Sequence, residues 1–232
     1  MEFRIDHIGN ARAAVIVIEN AWPDPQALID FAAARNDYSA RSLYYPGVRS
    51  AAPADYVRWV ATGLQELVRT TFELDEEVVV SEANFSLVTL SSERLVPFQR
   101  VPHFDSTDRK RIAVLHYLCK PEHGGTSFYR HRSTGIEIMT EEMREQYMRT
   151  VNAEVRSQGM PPSRFIDEST NLFERVAKYE AVFNRMLIYA GSFLHSGNVP
   201  PNVAPDANPR TGRLTLNTFL RPRSASAQYW AS

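Results

Sequence analysis

The sequence predicts a mainly β fold with helices packed against it, and three observations carry that expectation. Over residues 78–90 the side chains alternate, with Val79, Ala83, Phe85 and Leu87 to one side and Glu82, Asn84 and Ser86 to the other; this is the period of a strand. Further short apolar runs at 112–118, 126–130, 186–189 and 214–220 are separated by turn-forming segments. Many short strands in this arrangement indicate a sandwich or jelly roll rather than a parallel, doubly wound sheet. Ahead of them lie two stretches whose apolar residues recur at helical spacing.

Taken in order, residues 14–18 form a short aliphatic strand. Asp24 followed by Pro25 is an N-cap with proline in the first turn, opening a helix through Leu28 and Phe31. Over residues 55–72, Tyr56, Val60, Leu64, Leu67 and Val68 recur at three- and four-residue spacing and predict one long helix. Thr140 is placed to cap a helix running to about Arg156, with Glu141 and Glu142 in its first turn and Met143, Tyr147, Val151 and Val155 as its stripe. Strand and helix patterns compete over 169–181, and the Pro/Asn-rich stretch 198–209 reads as a loop.

A chain of 232 residues is long enough for one well-buried domain, and we expect a single domain over 1–232. Its N-terminal helices, about 23–72, would pack on the β core, with a helical insertion at about 137–180. With 26 Lys and Arg against 27 Asp and Glu there is no basic field to attract nucleic acid or an anionic membrane. The single cysteine, Cys119, excludes an internal disulfide and a zinc site built from several thiolates. The start, Met1-Glu-Phe-Arg-Ile-Asp, lacks the apolar core of a signal peptide, and the longest aliphatic run, residues 15–18, is far too short to span a bilayer. A cytoplasmic protein is the expectation.

The chemistry is concentrated in Val101-Pro-His103-Phe-Asp105. In an extended segment residues i and i+2 point to the same side, so His103 and Asp105 converge as a chelating pair. A third donor, His195, stands in Leu194-His195-Ser196-Gly197, just after the strand at 186–189. Two imidazoles and one carboxylate leave coordination positions open, which suits Fe(II) oxygenases better than a closed zinc site.

With these residues in place, the sequence resembles the prolyl-4-hydroxylase-like branch of the Fe(II)/2-oxoglutarate dioxygenase superfamily, and more closely an uncharacterised bacterial group of such proteins (DUF6445-like). The stretches that carry the resemblance are Pro102-His-Phe-Asp-Ser, His116-Tyr-Leu, Gly124-Gly-Thr-Ser-Phe-Tyr-Arg-His-Arg, Asn184-Arg-Met-Leu-Ile-Tyr, Leu194-His-Ser-Gly and Gly212-Arg-Leu-Thr-Leu-Asn-Thr-Phe, in that order. The resemblance implies a double-stranded β-helix (jelly-roll, cupin-like) core. It implies Fe(II) on His103, Asp105 and His195, with 2-oxoglutarate and O2 as co-substrates. It also implies that Arg213, on the strand after the distal histidine, binds the tail carboxylate of 2-oxoglutarate, with Tyr117 donating to the same group. Thr215, two residues on, faces the same side and adds a hydroxyl. The implied reaction converts 2-oxoglutarate and O2 to succinate and carbon dioxide while hydroxylating an unactivated C–H bond. Asp105 favours hydroxylation over halogenation, because halogenating relatives carry Gly or Ala at that position.

Plainer readings stand beside these. His103 and Asp105 are also what a hydrogen-bonded turn contains, His195 is also a loop histidine, Arg210 competes with Arg213, and a strand tyrosine such as Tyr117 is commonly core. His116, on the face opposite Tyr117, reads as core; His7 and His123 read as surface turns. Tyr129, His131 and Arg132 follow the Gly124-Gly125 turn and read either as the substrate mouth or as a solvated loop. Tyr45, in Tyr44-Tyr-Pro-Gly-Val-Arg49 between the first two helices, is a further candidate for the substrate pocket. The substrate is expected to be an amino acid, a peptide residue or a small natural product, and the 137–180 stretch is where substrate recognition or homodimer contacts are expected. Two other classes remain: a non-catalytic metal-binding jelly roll, and a cupin-type metal enzyme that needs no 2-oxoglutarate.

Overall fold

Each long strand presents two faces, and different layers cover them. The computed structural model describes residues 1–40 and 44–226; the remaining positions of the single-domain expectation lie outside the described residues. Its strands are β1 (Phe3–Ile8), β2 (Ala13–Ile18), β3 (Gly47–Ala51), β4 (Val78–Val88), β5 (Ile112–Tyr117), β6 (Gly125–His131), β7 (Phe173–Glu180), β8 (Met186–Ala190), β9 (His195–Asn198) and β10 (Leu214–Pro222). Its helices are α1 (Pro25–Ala33), α2 (Ala54–Gly63), α3 (Gln65–Thr71) and α4 (Glu141–Gln158). The strands form two antiparallel sheets, a seven-stranded one in the order β1-β2-β8-β5-β10-β4-β3 and a three-stranded one in the order β7-β6-β9. This is the mainly β, jelly-roll architecture that the sequence predicts.

One face of the large sheet carries Ile16, Ile18, Phe85, Leu87, Ile112, Val114, Met186, Ile188, Leu214 and Leu216, all fully buried under Leu28, Tyr56, Val60, Leu64 and Val68 of the helical layer. The other face carries Val15, Val17, Ala113, Tyr117, Leu187 and Tyr189, which meet Phe128 and Phe193 across the gap to the small sheet. A third cluster lies outside the small sheet, where Tyr147 of α4 packs with Tyr129, Phe173, Met139 and Leu194. Two apolar faces on one sheet explain why its central strands are so apolar, since each buried large side chain contributes about 1.5–3 kcal/mol.

Several elements differ from expectation. The helix expected over 55–72 is broken into α2 and α3 at Leu64 (φ −101°, ψ −2°), directly after Gly63, whose missing side chain makes it the weakest helical position in the run. Asp24 caps α1 as expected, Oδ1 accepting from the Ala27 N–H at 3.0 Å. Thr140 has the extended backbone of an N-cap, but its side chain makes no capping bond. The 137–180 stretch is not purely helical, because the undecided residues 169–181 contain β7, an edge strand of the small sheet. The segment around Tyr44–Arg49 is not all loop: β3 begins at Gly47 and pairs with β4. Among the described residues no helix is long and apolar enough to cross a membrane.

His116, wholly buried on the helical side, donates from Nε2 to Asn184 Oδ1 at 2.9 Å and stacks on Tyr56 with ring centroids 5.8 Å apart. Burial first of all drives its pKa from 6.5 down to about 4, the Asn184 bond opposing. Below pH 6.5 the unfolded chain therefore binds a proton that the folded chain refuses, so stability falls as the pH drops from 6.5 toward 4. By pH 4 this group alone removes roughly 3 kcal/mol. Thermal melts across that window should show wild-type protein losing stability more steeply than His116→Phe, whose ring stacks but takes up no proton; parallel profiles would refute the assignment.

Candidate metal centre and co-substrate pocket

The segment holding His103 and Asp105 is docked, not free. His103 and His195 exchange backbone hydrogen bonds in an isolated bridge, at 2.9 and 2.8 Å, and the Asp105 N–H donates to the Gly191 carbonyl at 2.7 Å. Extended geometry at 103 and 105 then turns both side chains toward His195, as the i, i+2 spacing requires. One donor atom from each of the three residues lies within 4.8 Å of the others. Asp105 is the hinge of the group: Oδ1 is 3.7 Å from His103 Nε2 and Oδ2 is 3.5 Å from His195 Nε2.

The imidazoles differ in setting. His195 is buried, with Nδ1 hydrogen-bonded to the Phe193 carbonyl at 2.7 Å. A carbonyl only accepts, so Nδ1 carries the proton and Nε2 is left with its lone pair toward Asp105, the arrangement that orients a metal-ligating histidine. Tyr189 stands edge-on to the His195 ring at 4.9 Å. His103 is half open, its side chain 52% exposed, and faces the mouth. Desolvation of the part of the ring that faces the cluster, with the neighbouring His195, lowers its pKa against the pull of Asp105. Two imidazoles beside a carboxylate are a donor set that suits a divalent cation.

The second feature is Arg213, only 7% exposed. Its Nε and Nη2 donate to the carbonyls of His123 and Gly125 at 3.2 and 3.0 Å, and its guanidinium stands 6.0 Å from the Tyr117 ring. Among the described residues no carboxylate pairs with it, so this is a buried cation with only neutral acceptors, an arrangement that invites an anion. Thr215, one row further along β10, has a buried hydroxyl with no hydrogen-bond partner. Tyr117 lies opposite Thr215 in the register, and its hydroxyl meets Thr126 Oγ1 at 2.6 Å. Burial raises the Tyr117 phenol to about 12, so it remains a donor. Across the gap, Gly197 of β9 faces Arg213, where an added Cβ would sit in ordinary contact with Nη2 at 3.6 Å. Arg213 also lines one wall of a cleft of about 170 Å³, with Val88, His123, Phe165 and Asp206, which none of the triad residues borders.

Tyr45 lies at this end of the site, with Arg49 stacked on its ring at 4.6 Å and its phenol raised by burial against the charges of Arg213 and Arg49. The Tyr129–His131–Arg132 group lies on the other side of β6 from the metal cluster. On β6, Thr126 and Phe128 face the metal side, so Tyr129 and His131 face outward under α4. His131 is wholly buried, its ring nitrogens held by Thr134 and Glu154 at 2.9 and 2.7 Å. Tyr129 donates to the Ile166 carbonyl at 3.1 Å, and Arg132 turns to the Thr170 carbonyl. These three residues secure α4 and the chain before β7.

Sequence reasoning passed over Asn217 and Arg111 and treated Glu82 and Asn84 as no more than the polar side of a strand. Only the structure places them together, β4 and β10 being adjacent inner strands of the seven-stranded sheet and Arg111 directly preceding β5.

Solved structures with this arrangement of sheets are known. HygX from Streptomyces hygroscopicus, solved with nickel and 2-oxoglutarate bound, aligns over 91% of this chain and 84% of its own at 13% identity, with a TM-score of 0.51. The epimerase SnoN, solved in complex with Fe3+, alpha ketoglutarate and nogalamycin RO, aligns over 91% of this chain and 80% of its own at 12% identity, with a TM-score of 0.53. A prolyl-4-hydroxylase from Pseudomonas putida aligns over 92% of this chain and 95% of its own at 14% identity, with a TM-score of 0.49. HygX and SnoN thus place this chain in the fold of the 2-oxoglutarate-dependent oxygenases. By sequence the chain belongs to the family of unknown function DUF6445, whose model matches residues 1–220. No curated protein matches it in sequence.

Proposed function

We propose that the chain is an Fe(II)/2-oxoglutarate-dependent oxygenase, one domain over 1–232, that hydroxylates an unactivated C–H bond of a small molecule or peptide residue in the cytoplasm. The observation that carries this is the pairing of a convergent His103–Asp105–His195 set with the buried Arg213 guanidinium, which has no carboxylate partner among the described residues. Two imidazoles and one carboxylate would hold Fe(II) with positions open for co-substrates. Bound there, the iron supplies the oxidising chemistry with O2 and 2-oxoglutarate.

The chain's own residues have separable tasks. Arg213 receives the tail carboxylate of 2-oxoglutarate as a permanently charged, planar partner, and Thr215 and Tyr117 add hydroxyl donors. The Phe193 carbonyl fixes His195 in the tautomer that presents Nε2. Phe128, Phe193 and Tyr189 pack around His195 and keep bulk water off the inner side. The half-open edge at His103 is where a substrate enters.

Incubation with Fe(II), 2-oxoglutarate and air tests the reading through succinate. Slow release without added substrate, abolished by chelation of the metal, is expected; no succinate under any metal loading would overturn it.

A further inference from the structure

The polar floor beside the metal centre is not accounted for by iron or 2-oxoglutarate. Register puts Arg49 opposite Ser86, Asn84 opposite Asn217 and Glu82 opposite Phe219, all on the face of the large sheet that carries Thr215 and Tyr117. Arg111 reaches this face from the start of β5, its guanidinium over the Phe219 ring at 4.4 Å. The floor adjoins the metal set directly: the Arg111 carbonyl accepts from the Gly191 N–H, and the Gly191 carbonyl accepts from Asp105.

Charge is unbalanced there. Two guanidiniums share one carboxylate, Glu82, and share it loosely, at 3.3 Å from Arg49 Nη1 and 3.8 Å from Arg111 Nη2. Good charge-assisted bonds are about 2.7–2.9 Å. Glu82 is instead held closest by the Asn84 amide, at 2.8 Å. Among the described residues, the Nε atoms of both arginines and Oδ1 of Asn217 are buried without a hydrogen-bond partner. Both guanidiniums rest on aromatic faces, Arg49 on Tyr45 and Arg111 on Phe219, so each is held in place and presents its edge. A surplus positive charge, pre-positioned and under-bonded, is built for one anionic oxygen pair.

We propose that Arg49 and Arg111 clamp a carboxylate of the primary substrate, which is therefore a compact monoanionic carboxylic acid, such as an N-acylated or acidic amino acid. Glu82 holds the two guanidiniums at their spacing, and its own charge limits the site to a single anion. The assignment rests on the iron and 2-oxoglutarate reading, with Arg213 reserved for the co-substrate.

The test is calorimetry on protein loaded with Ni(II) and saturating 2-oxoglutarate. The probes are N-acetyl and free amino acids, and simple carboxylic acids, each paired with its primary amide. Members of the acid series should bind, with the matching amides weaker by about tenfold or more, as expected when a charged partner is left unmade. Arg49→Gln should weaken acid binding by a similar factor while leaving 2-oxoglutarate affinity in place. Glu82→Gln should tighten it, because two guanidiniums then face the ligand alone; a purely structural trio gives no such gain. Acids and amides binding alike, no probe binding the loaded protein, or Arg49→Gln losing 2-oxoglutarate instead would overturn the assignment and leave the oxygenase reading standing. Failure of Ni(II) and 2-oxoglutarate to load at all would remove both.

Discussion

Arg213→Met is expected to weaken 2-oxoglutarate binding by about thirtyfold or more while leaving the fold at least as stable. The two effects have opposite signs for one reason. In the free protein Arg213 is a charge removed from water, 7% exposed, with the carbonyls of His123 and Gly125 as its acceptors and no anion among the described residues. Carbonyl dipoles only partly offset the loss of hydration, so an apolar side chain of similar length there is neutral or stabilising. With 2-oxoglutarate bound, the same guanidinium completes a buried ion pair, and truncating one partner of such a pair costs about 2–5 kcal/mol. At 1.4 kcal/mol per decade this gives the stated factor. Equilibrium denaturation and 2-oxoglutarate titration of the one variant read both signs. A variant that unfolds readily yet binds 2-oxoglutarate normally would make Arg213 a staple for the His123 and Gly125 backbone, and the co-substrate assignment would fall.

The second large effect is at His195. His195→Ala should reduce Fe(II) affinity by well over the roughly 10- to 100-fold that loss of an outer hydrogen-bond partner costs, because it removes a donor atom itself. It should leave the bridge between 103 and 195 intact, since that bridge is made by backbone N–H and carbonyl groups. Metal content after equilibrium dialysis, read beside the circular dichroism spectrum, separates the two. Retention of stoichiometric iron in a folded His195→Ala protein would remove His195 from the ligand set.

Much of this arrangement was legible in the sequence, and the failures have physical causes. β4, β5, β8 and β10 were legible because their residues alternate between two apolar or half-apolar layers. β1 was missed although Phe3 to Ile8 also alternates; it is an edge strand whose Phe3 and Ile5 remain exposed, so its pattern has no dense core behind it. β7 was undecided for a related reason, half of its residues being half-buried on the edge of the small sheet. The helix break at Leu64 was hidden because the apolar stripe continues across it: Leu64 itself is buried on the same face as Val60 and Val68. For the site, the metal triad could be read because its residues are drawn together by i, i+2 geometry and a recognisable order of motifs. The placement of Tyr129, His131 and Arg132 was not legible because composition does not reveal which face of β6 a residue occupies. The parity of Thr126 and Phe128, one a hydroxyl beside Tyr117 and the other a ring beside His195, settles that only once β6 is seen against its neighbours.

Anaerobic titration of the metal-free protein with Fe(II) and then 2-oxoglutarate tests the central claim most directly. The account predicts a visible metal-to-ligand charge-transfer band from bidentate chelation, absent in His195→Ala and shifted to higher 2-oxoglutarate concentration in Arg213→Met. Iron that binds at His103, Asp105 and His195 with no such band at any 2-oxoglutarate concentration would contradict it and leave a metal site of the cupin or non-catalytic kind.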